Sequence, residues 1–178
     1  MSFNILNREN QYKGHAFDVT KVHISLPDGR ERYYDLVEHG NSVTIIPVDT
    51  KGSIYFVSQH RIGSNNTLLE LPAGVLNEGE MPLQCAKREL REEIGMAASE
   101  VKQLGGFYLA PGYTDEFMTI FLATDLYEAP LPPDEDEFLT VEVMPAAEAY
   151  RKAYAGELHD GKTLAALLLA QPYLEIES

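Results

Sequence analysis

Along much of the chain apolar and polar positions alternate with a period of two, which predicts strands. In residues 17–26, Val22, Ile24 and Leu26 alternate with Lys21, His23 and Ser25. Asp28-Gly29 follows, a pair that favours a tight hairpin, and Arg32 to Val37 is the expected return strand. Val43 to Val48 (VTIIPV) and Ile54 to Gln59 (IYFVSQ) are two more expected strands, with Asp49 to Ser53 as the turn between them. Leu68 to Leu71 is short and apolar, and Pro72-Ala73-Gly74 breaks it. The period then changes. From Pro82 to Ile94 the chain predicts a helix, with Leu83, Ala86, Leu90 and Ile94 as its apolar stripe. Proline suits the first turn of that helix, and Gly95 the position just past its end.

Gly105 to Ala110 and Met118 to Ala123 are expected strands around a loop, Pro111 to Glu116. A proline-rich acidic loop, Ala129 to Glu137, leads to a strand over Phe138 to Met144. Pro145 to Ala155 and Gly161 to Ala170 close the chain as helices. Strands dominate around one central helix, which predicts an α/β sandwich rather than a doubly wound sheet. The 178 residues suffice for one domain with a proper core. Residues 1–178 are read as that domain, with residues 1–40 as a small antiparallel appendage of the kind that pairs between subunits, so a homodimer is expected.

Charge narrows the partners. The formal net charge is -14 and the pI about 4.7. Duplex nucleic acid and anionic membranes need basic surface, so neither is an expected partner. An acidic surface keeps a protein soluble, and it repels an anionic substrate unless cations stand between them. There is one cysteine, Cys85, so no intrachain disulfide can form. MSFNILNREN has no apolar run of the signal-peptide kind, and Leu164 to Ala170 is too short to span a bilayer. A cytoplasmic location is the default expectation.

Glu89, Glu92 and Glu93 stand three and four residues apart, which places them on one face of the predicted helix. Like charges at that spacing destabilise an isolated helix. Hard cations such as Mg²⁺ take carboxylate oxygens readily. Three glutamates alone would be read as a solvated face, interleaved with Arg88 and Arg91. Their surroundings reverse that reading. Five residues separate Gly74 from Glu80, and seven more separate Glu80 from Arg88-Glu89-Leu90-Arg91-Glu92-Glu93-Ile94-Gly95-Met96. The stretch resembles the Nudix box, GX5EX7REUXEEXGU with U a bulky aliphatic residue, at every fixed position. Gly74 is expected to permit a tight loop, Glu80 to favour the positive end of the helix dipole, Arg88 to pair with Glu92, and Gly95 to end the helix.

The chain thus resembles the Nudix hydrolases and, within them, the ADP-ribose pyrophosphatases. The resemblance implies an α/β/α sandwich with a mixed sheet, preceded by the small N-terminal antiparallel sheet. LLELPAG (Leu68 to Gly74) resembles the subfamily's approach to the box, which implies a metal-binding carbonyl on Ala73 and a substrate-binding role for Glu70. Pro111, in APGYTDE, lies 16 residues past Gly95, the subfamily's distinguishing position. DEDEF (Asp134 to Phe138) resembles the loop that supplies a catalytic glutamate, here Glu137 or Glu135. Arg61, in SQHRIG, resembles a phosphate-contacting arginine, and Glu116 is a further substrate-facing candidate. The resemblance implies Mg²⁺, with Mn²⁺ as a substitute, on Glu89, Glu92 and Glu93, with Glu93 also catalytic. It implies hydrolysis of a nucleoside diphosphate sugar to a nucleoside monophosphate and a sugar phosphate. GDP-mannose or another nucleoside diphosphate derivative is the alternative substrate, and a non-catalytic binding module the alternative of another class. Such modules usually lose box glutamates, and here none is lost.

Overall fold

A computed structural model of the chain describes residues 2–133 and 138–174. Its structure divides into two compact units: Met1–Asn41 with Phe107–Met118, and Ser42–Gly106 with Thr119–Ser178.

In the first unit, β1 (Asn4–Lys13), β2 (Asp18–Ser25) and β3 (Glu31–Glu38) form an antiparallel sheet in that order. The expected hairpin joins β2 to β3, with Gly29 at φ 85° and Leu26 N–H donating to the Arg30 carbonyl at 2.7 Å. β1 precedes every strand that the alternation predicts. Its ten residues are all exposed, so no buried face imposes a period of two on its sequence. The loop from Ala110 to Glu116 is tied to the end of β3: Val37 N–H donates to the Tyr113 carbonyl at 2.7 Å, and His39 N–H to Asp115 Oδ1 at 2.9 Å.

The second unit is organised around β4 (Ser42–Pro47), of which every residue is buried. A strand covered on both faces reads as a continuous apolar run, and VTIIPV is one. β4 sits inside a four-stranded sheet of order β7-β4-β9-β8, with β7 (Ala73–Val75), β8 (Met96–Tyr108) and β9 (Phe117–Glu128). Val43 and Ile45 point into a cluster under α1 (Pro82–Glu93) that also holds Val57, Cys85, Ala86, Leu90, Ile94 and Phe121. Thr44 and Ile46 alternate to the other face, and α3 (Gly161–Ala170) also packs against β4. A second, antiparallel sheet has the order β10-β5-β6, from β5 (Ser53–Arg61), β6 (Asn66–Glu70) and β10 (Thr140–Pro145). α2 (Ala146–Tyr154) packs against β10 and β5. The expected α/β sandwich with a mixed sheet, preceded by a small antiparallel sheet, is what the chain forms.

Candidate active site

α1 begins and ends where its sequence requires. Pro82 takes the first helical position, and the Gln84 side chain reaches back to accept from Met81 N–H at 3.0 Å. Gly95, at φ 70°, carries the chain out of the helix in a conformation that costs glycine little. The apolar stripe differs from the expected one. Leu83 is exposed, and Cys85 is fully buried with Ala86 and Leu90.

The glutamates are drawn into that buried side. Glu89 and Glu93 are only 6% and 7% exposed, while Glu92 is half-buried. Buried carboxylates need compensation, and Arg88 supplies much of it. Its Nη1 donates to Glu89 Oε1 at 2.6 Å and to Glu92 Oε2 at 2.8 Å. Its Nε and Nη2 each reach a Glu80 oxygen at 3.0 Å. Glu80 therefore works chiefly as the bidentate partner of Arg88 rather than as a dipole charge, and Asn77 N–H also donates to it at 2.9 Å. The Arg88 bonds hold the Glu80 carboxyl below the ordinary carboxylate range and push Arg88 above its own.

Gly74 has a different job from the tight loop expected of it. It lies in β7, opposite Val43, outside the left-handed conformations. A Cβ added at Gly74 would fall on the Glu89 carboxyl. Glycine is required there because a buried side chain passes, not because the backbone turns. Next to it, Ala73 N–H donates to Glu93 Oε2 at 3.1 Å. Cys85 Sγ lies 3.3 Å from Arg88 Nη2, and burial pushes its thiol up to about 12, away from the thiolate form.

Among the described residues no three His, Cys, Asp or Glu side chains converge as a metal cage; one nitrogen of Arg88 bonds both Glu89 and Glu92. The donor set nevertheless fits a hard divalent cation. Three carboxylates, Glu80, Glu89 and Glu92, share one guanidinium, and Glu93 adds a fourth acid on the same helix face. All offer the oxygen donors that Mg²⁺ prefers.

A second polar cluster forms where β6 ends. The Glu70 carboxylate receives Arg61 Nε at 2.8 Å and Arg61 Nη2 at 2.7 Å, and Lys162 Nζ bonds Glu70 Oε2 as well. Burial works to raise the Glu70 pKa, but the Arg61 bonds and the Lys162 charge outweigh it and leave the carboxyl below its ordinary value. Arg61 and Glu70, both substrate-binding candidates, are thus brought together. Lys162, Asp160 and Thr163 were not expected here. Their one local signal is Asp160-Gly161-Lys162-Thr163, in which Asp160 caps α3 by accepting from Thr163 N–H at 3.0 Å. Glu116 lies in the first unit, with an oxygen 3.6 Å from His39 Nδ1. Glu135 and Glu137 lie outside the described residues.

Comparison with known proteins shows the family. The NUDIX domain family model matches residues 38–167. The ADP-ribose pyrophosphatase of Bacillus subtilis (strain 168) is 34% identical, over 92% of this chain and 90% of that one. The ADP-ribose pyrophosphatase of Mycobacterium tuberculosis (strain ATCC 25618 / H37Rv) is 36% identical, over 93% and 82%. A crystal structure of an ADP compounds hydrolase matches with a TM-score of 0.86 and 26% identity, over 97% of this chain and 94% of that one.

Proposed function

The chain belongs to the Nudix family, and from that premise we propose that it hydrolyses the diphosphate linkage of ADP-ribose or a related nucleoside diphosphate sugar. The observation that carries the reading is the unbroken carboxylate face of α1, with Glu89 and Glu93 buried, Arg88 bridging and Gly74 clearing space for Glu89. The relatives named ADP-ribose pyrophosphatase support the choice of substrate.

Glu89, Glu92, Glu93 and the Ala73 carbonyl would hold the cation, for which we propose Mg²⁺, with Mn²⁺ as a substitute. When bound, the cation neutralises diphosphate oxygens and lowers the pKa of the attacking water. Arg88 holds Glu89 and Glu92 in place through its Nη1 bonds. Arg61 binds a phosphate of the substrate through its exposed guanidinium edge. Glu137 or Glu135 takes the proton from the water, and Glu116 contacts the substrate. Water adds to one phosphorus, the bridging P–O bond breaks, and the bridging oxygen leaves with the other phosphate. The products are a nucleoside monophosphate and a sugar phosphate.

We also propose a homodimer paired through the N-terminal sheet, on which Ile5, Tyr12, Tyr33 and Tyr34 are exposed, and a cytoplasmic setting. No described helix is long and apolar enough to cross a membrane.

A substrate panel with Mg²⁺ tests the reading: ADP-ribose, GDP-mannose, UDP-glucose, NADH, dinucleoside polyphosphates and dGTP, with phosphate released by a coupled phosphatase. ADP-ribose is expected among the best substrates. If it ranks among the poorest while another diphosphate turns over, the substrate is wrong and the reaction class stands. A monomer by light scattering would remove the dimer.

A further inference from the structure

We infer that Glu70 is a positioning residue that presets the Arg61 guanidinium for the substrate diphosphate and does not itself touch the substrate. The inference rests on the proposed diphosphate reading and deepens it.

Burial closes Glu70 to a ligand. It is 1% exposed, and an ionised carboxylate only accepts hydrogen bonds. Oε1 already accepts from Arg61 Nε, and Oε2 from Arg61 Nη2 and Lys162 Nζ. Its charge would also repel a diphosphate. Arg61 is the reverse. One edge of its planar fork is fixed by two parallel bonds, which removes most of its rotational freedom. Its side chain is still 42% exposed, and its remaining nitrogen, Nη1, has no hydrogen-bond partner among the described residues. A guanidinium anchored at one edge and open at the other is a preorganised anion receptor.

Two further features suit Glu70 to that task. Lys162 places a second cation on the same carboxylate and so helps to hold it in place. Asp160 in turn sits 3.1 Å from Lys162 Nζ. The backbone from Glu70 to Ala73 is also pinned at each following residue. Leu71 N–H donates to Thr163 Oγ1 at 2.8 Å. The Pro72 carbonyl accepts from Ile45 N–H at 2.9 Å and from Thr44 Oγ1 at 3.1 Å. Ala73 N–H ends the run on Glu93. Glu70 thus hangs Arg61 on a stiff segment whose far end holds a box carboxylate. Arg61 is held above its ordinary pKa first by the Glu70 bonds and then, more weakly, by the charges of Asp160 and Glu93. The segment sets the spacing between the phosphate-binding guanidinium and the carboxylate face.

The test is steady-state kinetics on ADP-ribose with Mg²⁺ for wild type, Glu70→Gln, Glu70→Asp, Arg61→Ala and the double variant Glu70→Gln/Arg61→Ala. Glu70→Gln is expected to raise KM by about tenfold or more, with a smaller fall in kcat. Glu70→Asp, which keeps the charge on a shorter arm, recovers part of the loss. Once Arg61 is alanine, Glu70→Gln adds no further rise in KM. A fall in kcat at unchanged KM, or effects of Glu70→Gln and Arg61→Ala that multiply, overturns the inference. If Arg61→Ala leaves KM unchanged, Arg61 does not bind the diphosphate and the inference falls with it, while turnover of ADP-ribose by the wild type keeps the proposed reaction standing. Should Glu70→Gln not fold, the wild-type protein decides. The Arg61 Nε–H resonance, identified by its loss in Arg61→Lys, is expected to be rigid and slow to exchange without substrate. A mobile, fast-exchanging Arg61 overturns the inference.

Discussion

At α1 the carboxylates of Glu89 and Glu92, with Glu80 from the loop before the helix, share the guanidinium of Arg88, whereas at the end of β6 the carboxylate of Glu70 is shared by Arg61 and Lys162. Both clusters are partly buried, and both use a bidentate arginine. The first carries an acidic excess; in the second Asp160 sits 3.1 Å from Lys162 and balances it, and what stands out is the exposed part of Arg61. An acidic excess suits a cation, and a guanidinium with an exposed edge suits an anion. A metal-bridged diphosphate is both, which is how an enzyme carrying a net charge of -14 can hold an anionic substrate.

The largest effect that would break this comparison is at Glu93. Glu93→Gln keeps the shape of the side chain and the acceptor for Ala73 N–H, and removes one charge from the acidic cluster. Transition-state stabilisation by a metal amounts to several kcal/mol, so kcat/KM should fall by roughly 100-fold or more. EDTA should abolish wild-type activity, and Mg²⁺ should restore it. Activity within a few-fold of wild type for Glu93→Gln would end the assignment of α1 to metal.

Gly74→Ala probes the same cluster through space rather than charge. The added Cβ would meet the Glu89 carboxyl, so Glu89 must move or the strand must shift. Overpacking of this kind costs about 1–3 kcal/mol, read as a lower urea midpoint. Mg²⁺ affinity should weaken as well, because the displaced group is a proposed ligand. A variant of wild-type stability and unchanged Mg²⁺ dependence would mean that Glu89 has room to spare.

The two clusters differed as sharply in how far sequence could foretell them. The α1 cluster is local. Its acids lie within one helix and one preceding loop, so spacing alone places them on one face, and Pro82 and Gly95 mark the ends. Even so, spacing did not say why position 74 is glycine, because the neighbour that demands it, Glu89, is fifteen residues away on another element. The Glu70 cluster is not local at all. Lys162 and Thr163 reach Glu70 and Leu71 from α3, both across 92 residues. No period or capping rule encodes that meeting, so nothing local in the sequence foretells that Glu70 is bonded to Arg61 and Lys162. The strand β1 was missed for a related reason: a fully exposed strand shows no apolar alternation.

Acid titration gives the smallest effect and separates the clusters from ordinary surface pairs. Glu70 is held below its ordinary value of 4.5 against the opposing effect of burial, by the Arg61 bonds and then the Lys162 charge. Glu80 is held below the same value first by Arg88. A carboxyl whose pKa is lower folded than unfolded binds fewer protons in the native state. Its contribution is complete above the unfolded value and is lost as pH falls through the folded one. Stability, read as a urea midpoint, should therefore gain nothing from these groups between 4.5 and pH 7 and should drop below 4.5. Asp28, Glu148 and Glu157 are also depressed, first by bonds from Arg30 or Arg151, but their pairs are exposed. Salt at about 1 M screens such pairs strongly and buried ones much less. The acid drop that survives high salt should belong to Glu70 and Glu80. Glu70→Gln should remove its own share, because the amide carries no charge to lose. If the drop vanishes in salt in the wild-type protein, the buried pairing at Glu70 is weaker than its two-cation geometry implies, and the contrast between the clusters loses its second half.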